Sequence, residues 1–213
     1  MEIKKLDIGY FDEALAFYRQ QIDCLERKEF FYPYQDDDIK NILKGGGIMA
    51  AVLDSQEIIG ISAVDFDKKY GQILKKIINT YYPHVINHKV CEYSGVMTRK
   101  GYRNQGVASA LYDYLLNSIK DKKNICLCAV VQLENQASLN FFFKRNFRLA
   151  SVKRSFDIDF GYLIKFNDRE IIIDQTDQKI IHCLDYDRYE KLLSLGYVGA
   201  EFFDKKIKLC KII

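Results

Sequence analysis

The stretch from Val90 to Val131 constrains this chain most. Val90 to Thr98 reads as a strand, and Tyr102-Arg103-Asn104-Gln105-Gly106-Val107-Ala108 as a turn. A helix is predicted over about Asn104 to Ile119, with Ala108, Leu111, Leu115 and Ile119 on one face. Ile125 to Val131 is almost wholly apolar, as a strand buried on both faces must be. Strand, crossover helix and strand in one sheet give a parallel pair. The expected fold is therefore a mixed α/β sheet covered by helices.

The turn inside this unit has its own chemistry. A strand that passes straight into a helix presents free backbone N–H groups at the positive end of the helix dipole, and these donors bind phosphate. Gly106 lets the backbone approach a pyrophosphate closely, Ala108 keeps the next turn small, and Arg103 adds charge at the mouth. An ordinary glycine-containing helix start would look the same in isolation.

Composition narrows the field. With 213 residues, 48% hydrophobic and 29% charged, the chain suits one α/β domain with an extension and can bury a sizeable core. A net charge of +3 does not point to nucleic acid, and the lysine clusters at 68–69, 75–76 and 120–123 read as solvated surface. No apolar run reaches the roughly 18 residues of a membrane span, and no signal peptide is expected. Six scattered cysteines without a Cys-x-x-Cys read as reduced thiols, with no metal site and a cytoplasmic location. His84 and His88, four apart, read as a surface pair.

The remaining pattern fills in the architecture. Glu2 to Leu6 is a first strand, and residues 10–25 carry a helical apolar stripe. Phe30-Phe31-Tyr32-Pro33-Tyr34 is an aromatic turn, and Asp36-Asp37-Asp38 opens a second helix that the glycines at 45–47 end. Ile48–Leu53 and Ile58–Phe66 form a hairpin, and residues 67–89 are an insertion with a helical centre. Short helices are predicted at 136–145 and 187–195. Strands are predicted at 147–158, 162–166, 169–174 and 179–184, with one or two more at the end. No fixed-period repeat is visible.

Two motifs carry a family resemblance. Arg103, Gly106 and Ala108 fit the Arg/Gln-x-x-Gly-x-Gly/Ala signature of the GNAT superfamily of N-acetyltransferases. Downstream, Asn135-Gln136-Ala137-Ser138-Leu139-Asn140-Phe141-Phe142-Phe143-Lys144-Arg145-Asn146-Phe147 resembles that family's Asn-x-x-Ala-x-x-Leu-Tyr-x-Lys-x-Gly-Phe. The resemblance covers about residues 2–167. It implies a catalytic domain over 1–167, with 168–213 a small C-terminal α/β extension packed on or beside it. It also implies splayed parallel strands four and five, helices on both faces, and an acyl-CoA donor, most simply acetyl-CoA. The backbone of Val96, Met97 and Thr98 would pair with the pantetheine arm. The turn Arg103, Asn104, Gln105, Gly106, Val107 and Ala108 would hold the pyrophosphate. Asn135, also a good helix N-cap, would bond the arm, and Phe142 would lie beside the cofactor.

Transfer of an acyl group to a primary amine needs a base, and Glu92 is the candidate. It is the one ionisable carboxylate of its strand, at the spacing before Arg103 that part of the family uses. The chain departs from the family at Phe142, where many members carry a proton-donating tyrosine. Tyr93, Tyr112 or water could take that role, or the thiolate could leave unprotonated. Aromatic residues 30–34 beside Asp36 to Asp38 could receive a cationic acceptor, and the insertion and extension could cover its entrance or form a homodimer contact. A non-catalytic acyl-CoA-binding module is the alternative, and a nucleotide-binding protein a third.

Overall fold

The computed structural model describes residues 1–28, 33–155 and 158–213, with Lys68 described by its backbone alone. The chain forms two compact units. The first comprises Met1–Lys68 with Cys91–Lys122, and the second Lys69–Val90 with Lys123–Ile213.

In the first unit, β1 (Glu2–Leu6), β2 (Gly47–Asp54), β3 (Glu57–Asp65) and β4 (Lys89–Thr98) lie side by side in that order, each antiparallel to the next. The β2–β3 hairpin closes on Ser55 and Gln56, both at positive φ, which matches the twist of the flanking strands. Ile61 and Ala63 of β3 share a core with Tyr18 of α1 (Phe11–Asp23) and Ile39 of α2 (Asp36–Asn41). Gly60, on the opposite face, lies against Val107 and Leu111 of α4 (Val107–Ile119). Alternation along β3 thus places helices on both faces. The second helix stops earlier than predicted, because residues 42–46 widen into a π-turn before the strand.

In the second unit, β5 (Ile125–Gln132), α5 (Gln136–Phe143), β6 (Arg148–Ser155) and β7 (Ile158–Phe166) are followed by β8 (Ile173–His182), α6 (Tyr186–Ser194), β9 (Tyr197–Phe203) and β10 (Lys206–Ile212). The strand order is β5-β7-β6-β9-β10-β8. The insertion supplies α3 (Lys68–Asn79), whose Leu74 and Ile78 pack with Cys126, Cys128 and Ile164. One strand, β8, replaces the two expected at 169–174 and 179–184. β6 ends at Ser155 and β7 begins at Ile158, earlier than the predicted break, and residues 156–157 lie outside the described residues.

His88 corrects a sequence expectation. It is not a surface residue: its ring is buried 4.4 Å from that of Phe166, while His84 is exposed. His84 lies within a 3-10 turn, Pro83–Asn87, and His88 is its C-cap; this is not an α-helix, so a spacing of four does not put them on one face. All six cysteines are free thiols, and only Cys24 is exposed.

Candidate active site

The loop after β4 is tied down before the turn begins. The Arg99 guanidinium pairs with Glu57 at 2.6 Å and donates to the Ile58 carbonyl at 2.9 Å. The Tyr102 hydroxyl donates to Asp54 at 2.8 Å. The β2–β3 hairpin therefore fixes where the turn starts.

In the turn, Asn104 has φ 61° and Gly106 φ 83°. Gly106 is the N-cap of α4, and no side chain caps that helix. A Cβ placed on Gly106 would meet no atom within 4 Å, so the backbone there borders open space. The first amides of α4 have no partner within the helix by its geometry. Arg103 is exposed, with its Nε 3.4 Å from the Thr98 carbonyl, and Gln105 donates to the Gly101 carbonyl at 2.8 Å. Val107 is buried under β3, which anchors the helix while Arg103 to Gly106 stay exposed. This cradle of amides, dipole and arginine suits a pyrophosphate. The helix begins later than predicted because Gly106 takes the left-handed conformation.

Upstream, β4 is irregular. Ala63 pairs with Ser94 but Ile61 with Met97, so Gly95 and Val96 form a bulge opposite Ser62, with Gly95 at φ 65°. A bulge leaves ladder groups unpaired and re-aims side chains. The predicted Val96, Met97 and Thr98 lie on or just after it.

Glu92 is half-buried on β4 and directly opposite Asp65 of β3, so both carboxylates stand on one face. Ser94 shares that face, and its hydroxyl is hydrogen-bonded to the Tyr34 hydroxyl. The Tyr34 amide donates to the Tyr18 hydroxyl at 2.8 Å, and the two rings lie 5.8 Å apart. Burial, with the charges of Glu92 and Asp65, pushes the Tyr34 hydroxyl well above the ordinary tyrosine range, against the opposing effect of the Ser94 bond. Tyr18 is raised by burial as well. Tyr93 faces the other way, with its ring 5.6 Å from that of Tyr112 on α4. The candidates Tyr93 and Tyr112 thus lie on the face opposite Glu92. The structure brings Tyr34 to that face instead, a residue whose sequence signal was only its place in an aromatic run. Phe30, Phe31 and Tyr32 lie outside the described residues.

The second unit holds the remaining predicted residues. The Asn135 side chain caps α5, accepting from the Ser138 amide at 3.1 Å. Phe142 is buried edge-on between Phe141 and Phe147. Asn146 takes φ 61°, the left-handed conformation that the usual glycine would supply. Among the described residues, no group of three or more His, Cys, Asp or Glu side chains could hold a metal ion, and no helix is long and apolar enough to cross a membrane.

The model of the acetyltransferase (GNAT) family matches residues 13–147. The chain belongs to that family. Solved structures agree on the fold. An N-acetyltransferase from Staphylococcus aureus Mu50 has 18% identity, with 78% of this chain and 98% of that one covered and a TM-score of 0.57. NAA60 from Arabidopsis thaliana in complex with acetyl-CoA has 15% identity, coverage of 78% and 97%, and a TM-score of 0.58. YncA, a putative acetyltransferase from Salmonella typhimurium with acetyl-CoA, has 13% identity, coverage of 82% and 98%, and a TM-score of 0.57. No curated protein sequence matches. The mixed α/β fold expected from the sequence is thus the GNAT fold of this family member.

Proposed function

We propose that this acetyltransferase-family protein transfers an acetyl group from acetyl-CoA to a primary amine. The open left-handed Gly106 at an uncapped helix start, beside exposed Arg103, carries this reading. The amides of Gln105 to Ala108 with Arg103 receive the pyrophosphate, and the backbone around the Val96 bulge receives the pantetheine arm. Asn135 is assigned to the same arm on its motif, and 1–167 is taken as the catalytic domain.

Glu92 acts as the base. It takes a proton from the ammonium form of the acceptor, whose nitrogen then forms a bond to the thioester carbon while the C–S bond breaks. The departing thiolate needs a proton that Phe142 has none to give. Tyr34, held protonated at neutral pH and bonded to Ser94, supplies it and is reprotonated by the second proton that the nitrogen sheds as the amide forms. Opposed Asp65 and Glu92 on the same face favour a cationic acceptor.

Calorimetry with acetyl-CoA, CoA and ATP, followed by thiol release over an amine panel, tests the reading. Binding of CoA but not ATP, with release for some amine, is expected. ATP binding without CoA binding overturns it, and tight CoA binding with no turnover leaves an acyl-CoA-binding module. Glu92→Gln is expected to slow release chiefly at lower pH, where more amine is protonated; a flat response moves the base role to water.

A further inference from the structure

The C-terminal segment repeats the unit before it. Elements β5-α5-β6-β7 recur as β8-α6-β9-β10, each triplet of strands pairing in the same way, with β7 between β5 and β6 and β10 between β8 and β9. The offset through the first three elements is 50 residues. The Asn135 and Asp185 amides donate to the Gln132 and His182 carbonyls. The Asn146 and Gly196 amides donate to those of Phe143 and Leu193, and both residues have positive φ. Leu139 and Tyr189, Phe143 and Leu193, and Phe147 and Tyr197 are buried in pairs. Even the irregularity is copied: each hairpin skips an alanine, Ala150 in β6–β7 and Ala200 in β9–β10. Those alanines are the one identical pair between residues 125–155 and 175–205, which hides the repeat from the sequence.

The two copies meet about a local two-fold axis. β6 and β9 pair antiparallel, with Leu149 opposite Gly199, its own equivalent. Across the joint α5 packs on β9 and α6 on β6, and the Phe143 and Phe202 rings stack at 6.4 Å. This is the isologous arrangement of a dimer of identical chains, made here within one chain. Gly199 is needed at the axis, since a Cβ there would sit 2.6 Å from the Leu149 Cβ. The copy lacks a counterpart of the Arg103–Ala108 turn and carries Asp185 where the first has Asn135, so the donor-binding motifs are not repeated.

We infer that residues 173–212 are a built-in partner: they occupy the β6 edge, where a second copy of the chain would otherwise pair, and the protein is a monomer. The exchange replaces an edge bearing Leu149, Ala150 and Val152 with one, β8, bearing Asp174, Gln175, Thr176, Asp177, Gln178 and Lys179. Polar, charged edge strands resist further pairing. The inference does not depend on acyl transfer.

Sedimentation equilibrium of the full chain, with hydrogen exchange of the β6 amides, tests it. A mass of 24.9 kDa and protected β6 amides are expected; twice that mass, or β6 amides that exchange like an exposed edge, overturns it. Gly199→Ala should pry the joint open, raising β6 exchange and producing dimers through the freed edge. Adding Leu149→Gly, which removes the clashing Cβ, should return the monomer. An unchanged mass and exchange in folded Gly199→Ala also overturns the inference. Should that variant not fold, the unaltered chain decides alone.

Discussion

The Tyr34 hydroxyl is hydrogen-bonded to the Ser94 hydroxyl, two residues along β4 from Glu92 and on the same face of the strand. Ser94 is the last paired residue before the bulge, so the contact sits where the β4 backbone leaves its ladder. Tyr34 is in turn held through its amide by Tyr18. The proposed base and the proposed proton donor thus share one surface, each fixed by a different element.

Tyr34→Phe separates proton donation from packing. The ring contact with Tyr18 is retained and only the hydroxyl is lost, so thermal stability should change little. Steady-state thiol release should fall about 10²-fold in kcat, the low end for loss of an acid–base group. The Kd for CoA should stay the same. Because the hydroxyl titrates well above the ordinary tyrosine value of about 10, the unaltered enzyme should show no loss of this acid below that pH. Equal rates for the two proteins would remove Tyr34 from the chemistry.

Gly106 permits a graded test of the cradle. Gly106→Ala meets no neighbour, so it costs only the left-handed strain of about 1–2 kcal/mol. For a chain of this size that lowers Tm by roughly 2–8 °C. Gly106→Glu adds a carboxylate where phosphate is expected and should abolish CoA binding by calorimetry, with a comparable Tm. CoA affinity that survives the glutamate would place the pyrophosphate elsewhere.

The Gly106 turn and the Asn135 cap were legible because they depend on local geometry. A glycine at a strand-to-helix turn and an asparagine three residues before Ser138 announce themselves through backbone needs that sequence spacing preserves. The face shared by Glu92, Ser94 and Tyr34 was not. Tyr34 and Ser94 are 60 residues apart and meet only after α1, α2 and β4 pack. His88 was misread for the same reason, since its burial depends on Phe166, far downstream. The repeat escaped because burial and hydrogen bonds were kept while side-chain identity was not: Leu139 became Tyr189, and Phe142 became Leu192.

His88 should make stability pH-dependent. Burial lowers its pKa, helped by the positive charge of Arg169 and opposed by Asp168, whose carboxylate lies 3.9 Å away. Lys75, which donates to the His88 carbonyl at 3.0 Å, adds a smaller lowering effect. The folded state therefore favours neutral imidazole, and the unfolded chain binds more protons as pH falls past about 6.5. Stability from this group is full above that pH and is lost on acidification toward the folded pKa. Urea unfolding from pH 7.5 to 5 should show a falling free energy, and His88→Gln should flatten that part of the profile. An equal slope in both proteins would assign the acid sensitivity to other groups.

Tyr189 yields the sharpest stability prediction. Its ring is fully buried at the place Leu139 holds in the first copy, yet its hydroxyl has no hydrogen-bond partner among the described residues. Burial of that hydroxyl raises its pKa far above the normal range, so it stays neutral. A buried donor without a partner costs about 1–3 kcal/mol, whereas the aromatic ring keeps its packing when the oxygen is removed. Tyr189→Phe should therefore leave stability unchanged or raise it by about 1 kcal/mol, measured by urea unfolding. Tyr189→Ala, which empties the same site, should cost about 3–5 kcal/mol, as large aromatic truncations in a core do. A loss of more than about 1 kcal/mol in Tyr189→Phe would mean that the hydroxyl is satisfied, for instance by a bound water, and that the second copy is held by a polar contact its counterpart in the first does not have.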